Sequence, residues 1–157
     1  MGIDPGTTRI GYALLEQRGH AIALKTAETI RIPSRFSRAE RLLLLFQALE
    51  ERFLRDRPDA VAVETLFFTT NKKTALSVAE ARGVILLTAQ RHVHSIGEYT
   101  PSAVKAAVTG DGRADKAGVR RMVRSLLPGA DIPVADDAVD AVAIALCALA
   151  ERRAFEK

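Results

Sequence analysis

Four acidic residues lie where regular elements of the chain are predicted to begin or end. One closes the opening segment, one ends an apolar run in mid-chain, and two open the apolar run near the chain's end: Asp4, Glu64, Asp137 and Asp140. Carboxylates brought together from distant segments repel one another and resist desolvation, so a fold keeps them most readily when cations neutralise them. Oxygen ligands suit hard divalent ions, especially Mg²⁺. The sequence therefore predicts metal-dependent chemistry on an anionic substrate.

Each of these acids also has an ordinary structural explanation. Asp4 is typical of a turn that ends a strand, and Glu64 of a solvated strand end. Asp137 and Asp140 are spaced i, i+3 on one helix face, in the first turn, where the helix dipole favours negative charge. Asp136 pairs with Asp140 at i, i+4, so the pattern leaves open which of Asp136 and Asp137 is only a cap. A metal site explains all four acids together.

The hydrophobic pattern predicts which elements position these residues. Three early strands precede a helix that starts at Ser34 or Ser37, and further strands then alternate with helices. The predicted strands are 1–4, 11–16, 21–29, 61–64 and 93–98. The first predicted helix ends near residue 57, and the later ones cover 73–91, a short stretch from Pro101, 116–127 and 136–153. This order indicates an α/β fold with a mixed sheet and helices on both faces. The length of 157 residues predicts a single domain, 1–157.

A basic helix face is the second candidate binding feature. The net charge is +4, and a basic surface favours polyanions such as nucleic acid, although a solvated helix face explains the pattern equally well. The basic stripe consists of Arg113, Lys116, Arg120 and Arg124, with Arg121 beside it and Lys105 on the preceding helix. The residues of the same helix predicted to face the core are Val119, Met122, Val123 and Leu126.

Two adjacent aromatic residues follow Glu64 in a polar loop. Phe67 and Phe68 cannot easily both point inward, so one of them is available to stack on an unpaired base. The alternative is a loop anchor packed against the core, an explanation that fits one of the two.

Small residues recur every four positions on the predicted helix 73–91, at Ala75, Ala79 and Gly83. Small side chains let another helix approach closely. Packing within the chain is the default interpretation, and a dimer interface is the alternative.

The single cysteine, Cys147, lies in an alanine-rich run. It cannot form an internal disulfide, so we expect it to be buried packing in a cytoplasmic protein. No signal peptide is expected, because Asp4 follows Met1 almost at once. The apolar runs 42–46 and 141–150 are too short to span a bilayer, so no membrane partner is expected.

Several motifs, in this order and at these spacings, together resemble RuvC-type Holliday junction resolvases. They are Gly-Ile-Asp-Pro-Gly at 2–6 with Gly-Tyr at 11–12, Ala-Val-Glu at 62–64 with Phe67, Ala-Glu-Ala-Arg-Gly at 79–83, Pro-Ser-Ala-Val-Lys at 101–105, Lys116 followed by Val119, Met122 and Val123, and Asp-Ala-Val-Asp-Ala-Val-Ala-Ile-Ala at 137–145. The resemblance extends from Met1 to about residue 150, nearly the whole chain.

The resemblance implies an RNase H-like fold with a five-stranded mixed sheet flanked by helices. It also implies a homodimeric endonuclease that resolves four-way DNA junctions in recombination and repair, leaving 5′-phosphate and 3′-hydroxyl ends. The family's metal ligands correspond to Asp4, Glu64, Asp137 and Asp140, with Asp137 selected over Asp136. They would hold two Mg²⁺ ions per active site, or Mn²⁺.

The resemblance also implies how DNA is held. Phe67, with Phe68 beside it, would stack on a base near the crossover. Basic positions near the scissile phosphate and the junction backbone would be Lys105 and Lys116, with Arg113 and Arg120 as further contacts. The helix with the small residues would lie at the dimer interface, and the branch-migration complex RuvA–RuvB would be a partner. Family members usually carry several apolar residues before the first Gly-Ile-Asp, whereas only Met1 precedes Gly2, so a short first strand is expected.

Three alternatives remain at this point. The opening Gly-Ile-Asp-Pro-Gly-Thr-Thr at 2–8 resembles the phosphate loop of actin-like ATPases and sugar kinases, but those folds need two such domains and this length supplies one. A second alternative is another RNase H-like nuclease, acting on RNA–DNA hybrids or of the short putative resolvase type. A third is a non-catalytic DNA-binding module, which would gain nothing from acids that face phosphates.

Overall fold

The computed structural model describes residues 1–65 and 72–155, apart from the side chains of 72–74 and 152–155. Within these residues, five strands form one mixed sheet. They are β1 (Gly2–Asp4), β2 (Arg9–Arg18), β3 (Ala21–Arg31), β4 (Ala60–Glu64) and β5 (Ser95–Tyr99), in the order β3-β2-β1-β4-β5. β1 pairs antiparallel with β2, and β2 with β3, whereas β1, β4 and β5 run parallel. The predicted five-stranded mixed sheet is confirmed, and β1 has three residues.

Helices connect and cover these strands at nearly the predicted places. They are α1 (Arg38–Asp56), α2 (Lys72–His92), α3 (Pro101–Thr109), α4 (Lys116–Leu126) and α5 (Asp136–Phe155). Ser37 rather than Ser34 starts α1, because its hydroxyl accepts from Glu40 N while the Glu40 carboxylate accepts from Ser37 N, a reciprocal capping box. Thr100 caps the start of α3, and Pro101 occupies the first turn of that helix.

The sheet separates two hydrophobic cores. On one face α1 and α2 bury residues such as Leu49, Phe53 and Ile85 against Ile3 and Val63. On the other face α3, α4 and α5 bury residues that include Val108, Val123 and Val142 together with Ala13 and Ala62. Neighbouring residues of one strand, such as Ala62 and Val63, therefore serve opposite cores, as the alternation of a strand requires. The predicted helices on both faces are confirmed.

α5 lies against the middle of the sheet, and its side chains there are small. Cys147 is buried in this helix, as predicted, with Sγ 3.8 Å from the carbonyl oxygen of Ala103, and burial raises its thiol pKa to about 11.

Within the described part of the chain, no helix is both long and apolar enough to cross a membrane.

Two predictions about the basic helix are wrong. Leu126 was expected in the core but is 44% exposed, because α4 ends there and the capping residue Leu127 fills the core instead. Arg113 was placed on the helical stripe, but the helix begins only at Lys116, after the capping residue Asp115. Arg113 therefore lies in the preceding loop, where its N–H donates to Asp111.

Candidate active site

Two of the predicted acids end neighbouring parallel strands. Asp4 is the last residue of β1 and Glu64 the last of β4, and Ile3 lies opposite Val63 in the pairing of these strands. Ile3 and Val63 belong to the core beneath α1 and α2, so strand alternation places the two carboxylates on the other face. Both therefore project from the carboxyl edge of the sheet on the side that α5 covers.

The first turns of α5 bring Asp137 and Asp140 to the same edge. Two glycines allow this approach: a Cβ at Gly11 would lie 1.9 Å from the carbonyl oxygen of Asp137, and one at Gly2 would lie 2.2 Å from that of Ala141. Any side chain at these positions would push α5 away from the sheet. The structure thus places the four acids, drawn from three distant segments, at one edge.

The electrostatics of the four acids show how closely they act on one another. Burial is the main cause that raises the pKa of Asp4 to about 8, and the carboxylates of Glu64, Asp140 and Asp137 raise it further. Burial also raises the pKa of Glu64 to about 7, with Asp140 adding to it, and burial raises the pKa of Asp140. Full ionisation of these buried carboxyls is therefore unfavourable unless a further cation lies beside them.

Two lysines border the cluster on its α3–α4 side. Lys116 Nζ lies 3.5 Å from Asp140 Oδ2, and Asp140 is the main cause that raises the pKa of Lys116. Lys116 in turn opposes the raised pKa values of Asp4 and Glu64. Lys105 acts on Glu64 in the same way, so both predicted lysines lie at the carboxylates.

Asp136 and Asp137 face different partners. Asp136 Oδ1 accepts from Nη2 of Arg120 at 2.6 Å, and Arg120 also donates to the backbone carbonyls of Pro133 and Val134. Asp136 Oδ2 also lies 3.8 Å from Lys116 Nζ, whereas Asp137 pairs with Arg9 and its charge helps to raise the pKa of Asp4. The two residues between which the sequence pattern left the choice open therefore pair with different cations, while both help to raise the pKa of Asp140. Arg120 holds the loop before α5 rather than projecting freely into solvent.

Arg9 is a site residue that the sequence reasoning missed. Its Nε and Nη2 donate to Asp137 Oδ2 at 2.8 and 2.6 Å, and Thr29 Oγ1 lies 3.4 Å from the same oxygen. A signal for it existed in the chain order: β2 runs antiparallel to β1, so the residue that opens β2 must lie beside the edge where β1 ends.

Arg82 supports the position of Glu64 from behind. Its Nε donates to the backbone carbonyl of Glu64 at 3.3 Å, and its guanidinium forms an ion pair with Glu98 on β5. Thr65 N adds a 2.8 Å hydrogen bond to the carbonyl of Tyr99. These contacts tie α2 and the ends of β4 and β5 together. In the sequence, Arg82 stands out only as part of the Ala-Glu-Ala-Arg-Gly motif at 79–83.

The donor set fits a hard divalent cation. Among the described residues, no three carboxylate, imidazole or thiol side chains already stand in an arrangement that holds a metal ion. The contacts give a reason, because Arg9 holds Asp137 while Lys116 lies beside Asp140, so the carboxylates turn toward different cations. All the candidate ligand atoms are carboxylate oxygens, and Asp4 and Glu64 have raised pKa values that a bound cation would reverse. Phe67 and Phe68 lie outside the described residues.

A mixed five-stranded sheet with acids at the carboxyl ends of its central parallel strands, closed by an acidic helix start, defines a metal-dependent nuclease of RNase H-like fold. The family model "Crossover junction endodeoxyribonuclease RuvC" matches residues 1–148. The chain belongs to the RuvC family. This assignment confirms the predicted family and decides against the actin-like and non-catalytic alternatives.

Named relatives agree with this assignment. A crossover junction endodeoxyribonuclease RuvC from Heliobacterium modesticaldum is 49% identical over 147 residues, which cover 94% of this chain and 91% of the relative. One from Rubrobacter xylanophilus is 47% identical over 147 residues, 94% of this chain and 82% of the relative. Among solved structures, T. thermophilus RuvC in complex with Holliday junction substrate matches with a TM-score of 0.88 and 33% identity, covering 98% of this chain and 94% of that one. The yeast mitochondrial resolvase Ydc2, at 12% identity and a TM-score of 0.73, shares the fold.

Proposed function

We propose that this chain resolves four-way DNA junctions by metal-dependent hydrolysis of two symmetric phosphodiester bonds. The observation that carries the proposal is the carboxylate cluster, in which burial and mutual repulsion raise the pKa values of Asp4 and Glu64 beside a border of lysines. Such a cluster is unfavourable for a protein that only binds phosphates, and it suits one that gathers cations around them. The relatives in the same family are named as crossover junction endodeoxyribonucleases, which supports the substrate class.

Asp4, Glu64, Asp137 and Asp140 would hold the metal, which we propose is two Mg²⁺ ions per active site, with Mn²⁺ as a substitute. Bound metal ions of this kind activate water for in-line attack on a phosphate and stabilise the leaving 3′ oxygen. The protein's contribution is position and charge: strand ends fix Asp4 and Glu64, and the start of α5 fixes the other pair. The products would carry 5′-phosphate and 3′-hydroxyl ends.

The two lysines would act on the substrate once the carboxylates are occupied. Lys116 now lies beside Asp140, and its exposed ammonium needs only to turn away from that carboxylate to meet a phosphate oxygen. Lys105 lies near enough to Glu64 to oppose the rise of its pKa and would stabilise the same phosphate. Both would hold negative charge that develops during hydrolysis.

Further DNA contacts are proposed on the strength of the family resemblance. Exposed Arg113, in the loop before α4, would bind the junction backbone, and Arg120 would join it while it orders the loop before α5. Phe67, with Phe68 beside it, would stack on a base near the crossover. We also propose a cytoplasmic location and a partnership with the branch-migration complex RuvA–RuvB.

We further propose that the active form is a homodimer joined through α2. Leu76 and Leu87 on this helix are 60% and 63% exposed, and a Cβ at Gly83 would meet nothing within 4 Å. Packing within the chain, the default interpretation of the small residues, therefore does not account for Gly83. A two-fold dimer would present two active sites to the two strands that must be cut in one junction.

The proposed function is tested by cleavage of a mobile four-way DNA junction with Mg²⁺, Mn²⁺ or EDTA. We expect paired, symmetric nicks that need metal and are abolished in Asp4→Asn, which should still bind the junction. RNA–DNA hybrid serves as the comparison substrate and should be cut far more slowly. Preferred cleavage of the hybrid, or full cleavage by Asp4→Asn, would contradict the proposal.

A further inference from the structure

Two arginines lie directly opposite each other at the edge of the sheet that carries the acids. Arg9 opens β2 and Arg31 closes β3, and the two are partners in the antiparallel pairing of these strands. Directly opposed residues project to the same face of a sheet. Arg9 contacts Asp137 on the α5 face, and Thr29, which shares the face of Arg31, lies 3.4 Å from the same carboxylate. Arg31 therefore lies on the face of the active site.

The two arginines differ in how their charges are balanced. Like charges directly opposite each other destabilise a pair of strands. Asp137 neutralises Arg9 at 2.6 Å, whereas Arg31 is exposed and makes no side-chain hydrogen bond or ion pair with any residue that the structure describes. The sheet thus carries, beside its acidic centre, a cation that nothing in the described chain neutralises.

We infer that Arg31 is a phosphate-binding residue that holds the DNA backbone on the β3 side of the active site. The inference rests on the proposed function and extends it to a border of the site that no motif marked. Its ligand class is a backbone phosphate, which a guanidinium binds through two parallel N–H donors. Arg9 is already paired with Asp137 at 2.6 Å, so Arg31 is the member of this arginine pair whose charge is left for a phosphate.

The order of strands gives this residue its place in the site. Across the edge, β3 with Arg31 comes first, then β2 with Arg9, and then β1 and β4 with Asp4 and Glu64. Neighbouring strands lie about 4.8 Å apart, so Arg31 is about 10 Å from the β1 backbone. Lys116 borders the same carboxylates from the α4 side. A DNA strand that crosses the acids would therefore meet one cation from β3 and another from α4.

The test compares Arg31→Gln with Arg18→Gln, a matched change at the other end of the same strand pair, where Arg18 is exposed and pairs with Glu16. Affinity for a four-way junction is measured in EDTA, which prevents cleavage, between 50 and 200 mM NaCl. Removing one arginine–phosphate ion pair should reduce the slope of log K against log salt by about 0.9. When the salt concentration is raised across this range, the affinity of Arg31→Gln should therefore fall by a factor about 3.5 times smaller than that of the unaltered protein. Arg18→Gln should keep the original slope.

Thermal unfolding supplies a second readout. If Arg31 had only a structural role, Arg31→Gln should melt at a lower temperature; we expect the same temperature or a higher one, because the repulsion with Arg9 is removed. A slope for Arg31→Gln equal to that of Arg18→Gln would overturn the inference and leave the proposed function standing, provided that the unaltered protein binds and cuts the junction. If the unaltered protein fails to bind the junction, both are overturned.

Discussion

Asp4 shows at the scale of one residue how a nuclease site opposes stability. Burial and three other carboxylates favour its neutral form, so the folded protein holds a proton there that the unfolded chain would release. The folded pKa of Asp4 is about 8 and that of Glu64 about 7, above the ordinary values of 3.8 and 4.5. At pH values between the ordinary and the folded pKa of each group, the folded state binds more protons than the unfolded state, so the stability of the fold falls as the pH rises.

We therefore predict that, in EDTA, the unfolding temperature decreases from pH 5.5 to pH 8.5. The stabilisation is fully present below the unfolded pKa values and is lost as the pH rises through the folded ones. Asp4→Asn should raise the stability at pH 8.5 by about 1 kcal/mol or more, roughly 2–4 °C for a chain of this size. Differential scanning calorimetry across this pH range measures both effects.

The control for this prediction is Asp59→Asn, which makes the same chemical change at an exposed aspartate before β4 and should leave the unfolding temperature unchanged. Mg²⁺ should stabilise the unaltered protein at pH 8.5 and stabilise Asp4→Asn much less. An unfolding temperature that rises with pH in EDTA, or a lower one for Asp4→Asn, would show that Asp4 is not a repelled, buried carboxylate.

The residues of this cluster were predictable to different degrees. The four acids could be found because each lies at an element end and the oxygen-only set indicates a metal. The bond from Arg9 to Asp137 spans 128 positions and depends on which strands are neighbours, so no local pattern contains it. The different partners of Asp136 and Asp137, which are Arg120 and Arg9, likewise become visible only in three dimensions.

At the scale of elements, α2 determines where Glu64 stands. Arg82 is 18% exposed, donates to the Glu64 carbonyl and pairs with Glu98 on the neighbouring strand. We predict that Arg82→Lys lowers the affinity for Mn²⁺ by about tenfold, because lysine keeps the charge but loses the fork that spans both partners. Isothermal titration calorimetry in the absence of DNA measures this affinity directly.

The matched control is Arg38→Lys, which alters another ion pair of α2, the one between Arg38 and Glu80. It should leave Mn²⁺ affinity unchanged. Unfolding temperatures measured without metal distinguish a misplaced Glu64 from a less stable fold. If Arg82 had a purely structural role, Arg82→Lys would lower the unfolding temperature but leave the Mn²⁺ affinity of the folded protein unchanged. Equal Mn²⁺ affinities for the two variants would remove Arg82 from the support of Glu64.

The elements themselves were largely predictable because their signals are local. Ser37 with Glu40 marks the start of α1, and Thr100 before Pro101 marks that of α3. Leu126 was misplaced because helical spacing does not show where α4 stops, and the capping residue takes the core position. The order of the strands follows from long-range pairing and was not predicted; the family resemblance implied only a five-stranded mixed sheet.

At the scale of the whole molecule, α2 has an exposed apolar face that the described fold leaves uncovered. Leu76, Gly83 and Leu87 share this face, because intervals of seven and eleven residues correspond to about two and three helical turns. Contiguous exposed apolar surface marks an interaction site in many proteins. In the proposed dimer a second copy of the chain would cover this face, because small and apolar residues allow two helices to meet closely around a two-fold axis.

We predict that Leu87→Glu converts the protein from dimer to monomer at micromolar concentration, because a two-fold interface would bury two facing carboxylates. Sedimentation velocity measures the change. Leu54→Glu on α1 is the control, since Leu54 is 62% exposed and Leu87 63%, so the two substitutions should affect the isolated chain alike. On a four-way junction the monomeric variant should leave unpaired nicks or none, whereas Leu54→Glu should still make paired ones. A Leu87→Glu protein that remains dimeric and cuts in pairs would place the interface elsewhere on the molecule.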